Sequence, residues 1–141
     1  MTFPIVPDGL VVDALVNLEA AALLPLRAAG QTCDPVLVRG LIDTGSDVSG
    51  VASATLQQLG GPRLSQTSTT GIGGPVGVSL YRVSLHVLDV NNPNLPWLTQ
   101  PSLLVMDLAP GFPFDLLIGM DVLHTCKLTI DGPGGQFTFD F

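Results

Sequence analysis

The sequence predicts an all-β fold, and three observations carry that prediction. Glycine and proline are both frequent, at 16 and 12 of 141 residues, which suits a chain with many tight turns. Between the turns, Val, Leu and Thr recur in short runs of strand length, without the sustained 3.6-residue pattern of a helical bundle. With 46% hydrophobic and 12% charged residues the chain can bury a core, and residues 1–141 suit one domain.

The elements follow in order. Val11 to Leu18 and Ala21 to Ala28 read as extended segments, so residues 1–35 are expected to hold N-terminal strands. Within them, the stretch from Leu18 to Leu24 also suits a helix on its own composition. Gly30 to Pro35 is a turn. Val36 to Ile42, an apolar run broken by Arg39, reads as a buried strand that leads straight into Asp43-Thr44-Gly45-Ser46. Val48 to Ala52 resumes β character, and Ser53 to Leu59 suits a short helix with Ser53 as N-cap and Gly60 as its end. Ser65 to Thr70 and Val76 to Leu88 flank Gly71-Ile72-Gly73-Gly74-Pro75, a hairpin with glycines at its tip. The alternation in the second arm changes phase near Tyr81, the sign of a bulge. After a loop at Asn91 to Pro96, Leu103 to Leu108 is a strand, and Asp115 to Leu123 is a buried strand running into a short helix. Lys127 to Ile130 and Gln136 to Phe141 close as a hairpin. Phe137, Phe139 and Phe141 give the last strand one apolar face, which suits pairing with another subunit.

Charge excludes one class of partner. Five basic residues against twelve acidic ones, eleven of them Asp, give a formal charge of −7. Arg27, Arg39, Arg63, Arg82 and Lys127 are scattered singly, so no basic patch exists to neutralise a phosphate backbone, and nucleic acid is not an expected partner. The longest apolar stretch, Gly9 to Gly30, is interrupted by Asp13, Asn17, Glu19 and Arg27 and falls short of the roughly 20 residues a membrane span needs. The first residues lack the basic region of a signal peptide, so the default expectation is a cytoplasmic protein without a membrane partner. Cys33, Cys126, His86 and His124 lack metal-site spacing, and no metal or cofactor is expected.

The chemistry points to Asp43. An Asp on a tight turn at the end of a buried strand is held rigidly, and Gly45 lets another backbone approach. Thr44 has a hydroxyl to brace the turn, and Ser46 has one to donate to the carboxylate. Two such carboxyls facing each other share a proton: the ionised one activates water, and the protonated one polarises a carbonyl. Asp-x-Gly is also ordinary turn chemistry, so this tetrapeptide by itself is equally compatible with a structural turn. Ser46, His86 and Asp89 do not make a nucleophilic triad, since no Gly-x-Ser-x-Gly elbow exists. Gly71 to Gly74 is not a phosphate loop, since no Lys follows.

The glycine-tipped hairpin begins 28 residues after Asp43, and Leu117-Ile118-Gly119 lies about 75 after it. In this order the motifs resemble the retropepsin-like aspartic proteases, the single-domain relatives of pepsin, over roughly Val36 to Phe141. The resemblance implies half of a pepsin-type closed β-barrel, with a flap hairpin and one short C-terminal helix. The chain has one Asp-Thr-Gly and no internal repeat, so the two-carboxylate site is expected to form in a homodimer.

Carried onto these residues, the resemblance makes Asp43 the catalytic carboxylate and Thr44 and Gly45 the loop that joins the subunits. Ile72, Gly73 and Gly74 become the flap tip over an extended, largely hydrophobic peptide. Asp47 falls where the family has an acid near the substrate backbone, although Met120 stands where retroviral members have its Arg partner. Ser46, where retroviral members have Ala, is expected to bind the Asp43 carboxylate and favour an acidic pH optimum. Phe112 and Phe114 precede the Leu-Leu-Ile-Gly strand, and Phe114 is expected to line a substrate pocket. The expected activity is an aspartic endopeptidase. The alternatives are a non-catalytic dimerisation or peptide-binding domain of the same fold, and a protease acting mainly on its own precursor.

Overall fold

The computed structural model describes residues 1–71 and 73–141; Ile72, expected at the hairpin tip, lies outside the described residues. Ten strands and three helices are described: β1 (Thr2–Pro4), β2 (Val11–Leu18), α1 (Ala20–Ala28), β3 (Val36–Ile42), β4 (Gly50–Ala52), α2 (Ser53–Leu59), β5 (Ser65–Gly71), β6 (Gly74–Leu88), β7 (Leu98–Leu108), β8 (Leu116–Ile118), α3 (Met120–Leu123), β9 (Lys127–Asp131) and β10 (Gln136–Asp140).

Strand order in the main sheet is β2-β3-β8-β4-β7-β6-β5, and a further β2–β6 pairing closes six of these strands into a barrel. The length of β6 makes closure possible. Its first half, Gly74 to Leu80, pairs with β5, and its second half, Val83 to Leu88, pairs with β2. Its other edge carries β7, with a register shift between Val83 and Leu85. The bulge predicted near Tyr81 therefore sits a few residues later, where the strand leaves the hairpin and bends into the barrel. Val16, Val87, Val105, Leu116 and Ile118 point inward and form its dry centre.

Residues 20–28 form a helix and not a second N-terminal strand. Ala and Leu dominate this segment, so intrinsic propensity prevails over the β-rich context. Pro25 lies inside α1; it supplies no N–H, but its carbonyl accepts the Ala29 N–H at 3.0 Å. The helix α2 ends as expected at Gly60, whose φ of 69° a side chain would resist. Its start differs: Ala52 is the N-cap and no side chain caps it.

A second sheet, in the order β1-β10-β9, is not hydrogen-bonded to the barrel strands but shares their core through Phe3, Phe137 and Phe139. Phe3, Phe137 and Phe139 fill its inner face, with ring centroids 5.3 to 6.3 Å apart. Such aromatic contacts contribute about 0.5–1.5 kcal/mol each beyond burial alone. The expectation that β10 offers its edge to another subunit is not met. Both of its edges are taken within the chain, by β1 and β9, because Phe137 and Phe139 are satisfied in this chain's own core. Phe141 stays exposed.

Candidate active site

Two parallel strands position the site. β3 and β8 run side by side, with Ile42 opposite Ile118, so Asp43 and Gly119 leave the sheet at the same end. The Asp43 N–H donates to the Ile118 carbonyl at 2.9 Å, extending the ladder by one bond before the chain turns. Asp43 is half-buried, and its Oδ1 accepts the Gly45 N–H at 2.8 Å. This bond within the turn fixes the carboxylate against its own loop. Thr44 and Gly45 are exposed beside it.

Ser46 departs from expectation. Its hydroxyl donates to the Val48 carbonyl at 2.8 Å and not to Asp43. The loop curls back on itself here, and the nearer acceptor is main chain. The side-chain bond expected to favour an acidic optimum is therefore not formed in this chain.

What holds the loop rigid comes largely from the other strand. Met120 donates its N–H to the Ser46 carbonyl at 2.8 Å, and Asp121 donates to the Asp47 carbonyl at 3.2 Å. These donors are free because they open α3, where a helix leaves its first N–H groups unbonded. Gly119 makes the approach possible: a Cβ there would lie 2.8 Å from the Ser46 carbonyl oxygen and 2.9 Å from the Val48 carbonyl carbon.

Sequence reasoning missed one pair altogether. Ser49 is fully buried, and the Asp121 carboxylate accepts both its N–H at 2.9 Å and its hydroxyl at 2.6 Å. The Ser49 oxygen in turn accepts the Gly119 N–H at 3.0 Å. Asp121 also accepts the Val122 N–H at 2.9 Å, so one carboxylate ties the end of the Asp43 loop to the start of α3. The signal was the Met-Asp after Ile-Gly, but pairing it with Ser49 requires knowing that β4 lies beside β8.

The remaining expected residues take varied places. Asp47 is exposed, while Met120 is half-buried. Gly73 lies in the turn of the β5–β6 hairpin and Gly74 opens β6, with the arms paired from Ser65–Leu80 to Gly71–Gly74. A groove of about 420 Å³ runs between this hairpin and β7, lined by Thr69, Val76, Val78, Met106 and Phe112. Phe114 is buried, its ring 6.2 Å from Phe112, and it lines a smaller neighbouring hollow with Ala52, Ser53 and Leu108.

His86, Asp89 and Ser46 do not meet through hydrogen bonds. His86 pairs with Thr99 at 3.1 Å and packs on Trp97, and partial burial lowers its pKa. Asp89 binds the Asn92 side chain at 2.8 Å and the Asn91 N–H at 2.9 Å. Cys33 and Cys126 are both free thiols. Among the described residues no cluster of His, Cys, Asp or Glu could hold a metal ion, and no helix is long and apolar enough to cross a membrane.

No family model and no curated protein matches the chain. Solved structures do. A retropepsin-like aspartic protease from Rickettsia conorii is similar at a TM-score of 0.61 and 15% identity, covering 99% of this chain and 88% of that one. The EIAV protease complexed with the inhibitor HBY-793 is similar at a TM-score of 0.49 and 19% identity, covering 86% of this chain and 92% of that one. The fold is retropepsin-like, as the first of these likenesses shows.

Proposed function

We propose that the chain is an aspartic endopeptidase, active as a homodimer in which Asp43 of each copy faces the other. The observation that carries this reading is the bracing of Asp43: a carboxylate fixed at 2.8 Å by Gly45, on a loop clamped from behind by Gly119, Met120 and Asp121. Main-chain hydrogen bonds hold the acid in place and leave Thr44 and Gly45 open to a partner.

In the paired site the two carboxyls hold one proton between them, because like charges this close cannot both ionise. The ionised Asp43 takes a proton from a water whose oxygen attacks the scissile carbonyl carbon. The protonated Asp43 hydrogen-bonds the carbonyl oxygen and transfers its proton there. The tetrahedral diol then collapses: the Asp43 that took the water's proton passes it to the nitrogen, and the C–N bond breaks to release the amine. A diol hydroxyl returns its proton to the other Asp43 as the carbonyl re-forms. A pair that works only while singly ionised gives a bell-shaped pH profile on the acid side of neutrality.

The β5–β6 hairpin, through the backbone around Gly73 and Gly74, is the element suited to hold an extended peptide by strand addition. The apolar groove at Val76, Val78, Met106 and Phe112 favours hydrophobic side chains in that peptide. Asp47, exposed on the Asp43 loop, is the acid that would meet the substrate backbone in this reading. Met120 behind it, and the Ser46 hydroxyl turned to Val48, favour the second reading, a non-catalytic peptide-binding dimer. The two readings separate on a statine-type peptide mimic. An active dimer binds one mimic per two chains and loses that affinity in Asp43→Asn, whereas a peptide-binding dimer keeps it.

A further inference from the structure

We infer that Asp107 is a specificity-determining residue: its carboxylate seats the cationic end of a lysine or arginine side chain of the bound peptide, whose alkyl stem lies in the groove beside the β5–β6 hairpin. This rests on the peptide site proposed above and names a side chain that it selects.

Sheet geometry explains why a carboxylate stands there. β6 pairs with β5 from Gly74 to Leu80 and with β7 from Leu80 onward, so the hairpin leaves the barrel at Leu80. The Leu64 N–H donates to the Leu80 carbonyl at 2.8 Å, so the main-chain groups of Leu80 face β5. Successive residues of a strand face opposite edges, and those of Ser79 therefore face β7. In a continued ladder the partner of Ser79 would be Asp107, the residue after Met106. The main-chain pairing instead stops at Leu80–Met106, and the Asp107 side chain takes over: its Oδ1 accepts the Ser79 N–H at 2.6 Å.

Burial alone would not put an acid at this place. Leu103 and Val105 are buried, and Asp107 comes next on the same side of β7. The bond to Ser79 fixes the carboxylate and occupies one oxygen. The other has no hydrogen-bond partner among the described residues. It is not buried, since none of the buried side-chain oxygens described lacks a partner.

The surroundings fit one class of side chain. Among the described residues, Asp107 is the sole charged group lining the groove of about 420 Å³, and Val76, Val78, Met106, Leu108 and Phe112 supply its apolar wall. A lysine or arginine matches both parts, because its methylene stem packs on apolar surface while its charged head reaches the acid. A purely alkyl side chain satisfies the wall alone. An anionic one would meet Asp107 with no cation in the groove to offset it, on a chain whose formal charge is already −7.

The same strand ties Asp107 to the Asp43 loop. The Met106 N–H donates to the Ser49 carbonyl at 3.1 Å, and Asp107 lies opposite Val51 in β4. The Ser49 hydroxyl oxygen holds the Gly119 N–H at 3.0 Å, and the carbonyl of Ile118, one residue earlier, holds the Asp43 N–H at 2.9 Å. Asp107 and Asp43 thus belong to one hydrogen-bonded frame, and a side chain held by the first is held in fixed relation to the second.

The test compares ligands. Statine-type peptide mimics carrying lysine, norleucine or glutamate at each position in turn are titrated calorimetrically into the full chain. At one position lysine should bind about tenfold tighter than norleucine, and glutamate more weakly than either. The lysine advantage should shrink as salt rises, a measurement that needs no variant. Asp107→Asn keeps an oxygen for the Ser79 N–H and removes the charge. It should abolish the lysine advantage and leave the norleucine affinity unchanged, whereas a residue that only anchors the hairpin would leave the advantage intact. No preference for lysine at any position, or an equal preference in Asp107→Asn, would overturn the inference. A chain that prefers lysine through Asp107 but cleaves nothing supports this seat and refutes the peptidase reading. Cleavage of an unfolded protein mixture with no enrichment of Lys or Arg at any position around the cut does the reverse.

Discussion

The Asp121 carboxylate receives both the backbone N–H and the hydroxyl of Ser49, at 2.9 and 2.6 Å, across 72 residues of sequence. This bond pair joins the chain that carries Asp43 to the helix behind it, and so helps to hold the Asp43 loop in place.

Ser49→Ala removes the shorter of those bonds and leaves the Gly119 N–H without its acceptor in a buried place. Loss of a buried hydrogen bond to a charged group costs about 1.5–3 kcal/mol. Urea unfolding should show a destabilisation of that size, and peptide turnover should fall with it because the Asp43 loop loosens. Unchanged stability would remove Asp121 from the account of the site.

Gly119→Ala introduces a methyl group 2.8 to 3.0 Å from three main-chain atoms of the Asp43 loop. Main chain cannot rotate out of the way, so the loop must shift. Overpacking of this kind costs about 1–3 kcal/mol. A displacement near 1 Å at a catalytic group can cost on the order of 100-fold in rate. Turnover should therefore fall further than stability, as kcat measured alongside thermal unfolding would reveal.

Much of this was legible in the sequence, and the exceptions have distinct causes. β2 and β3 occupy the predicted residues, although β3 is buried on one side only, with Leu37 and Arg39 exposed. The Asp-Thr-Gly turn, the glycine hairpin and the Leu-Ile-Gly strand are local patterns, and all three stand where expected. At α1 the helical alternative noted for Leu18 to Leu24 is the one realised, and the extended segment expected over Ala21 to Ala28 is not. The bond from Ser46 to Val48 depends on how the loop itself curls, and the Ser49–Asp121 pair and the enclosure of β10 depend on which segments the fold makes adjacent. No local pattern in the chain encodes that.

Asp89 gives the fold a pH dependence of known sign. The Asn92 side-chain bond holds its pKa below the ordinary value, outweighing the opposing effect of burial. A carboxylate with a depressed folded pKa contributes stability that is present above its unfolded value, near 3.9, and is lost as pH falls through the folded value. Asn92→Ala should therefore lower the melting temperature at pH 6 and have much less effect at pH 2. Equal losses at both values would mean that the Asn92 bond does not act through the Asp89 charge.

Phe112→Ala should change which peptides are cut without unfolding the protein. Phe112 is half-buried and lines the groove beside Val78 and Met106, whereas Phe114 is buried beneath it. Truncating Phe114 should cost about 3–5 kcal/mol as a core change. Cleavage-site profiling of the Phe112 variant should show a shift toward larger apolar side chains in the enlarged groove. An identical profile would separate this groove from the substrate.

The central claim is that Asp43 performs peptide hydrolysis, and the most direct test is cleavage of an unfolded protein mixture between pH 3 and 7 by the native chain and by Asp43→Asn, each first shown to be folded and dimeric. The native dimer should give a bell-shaped profile, and Asp43→Asn should show no turnover above background at any pH. Equal cleavage by the two proteins, or none by a native dimer across the whole range, would contradict it.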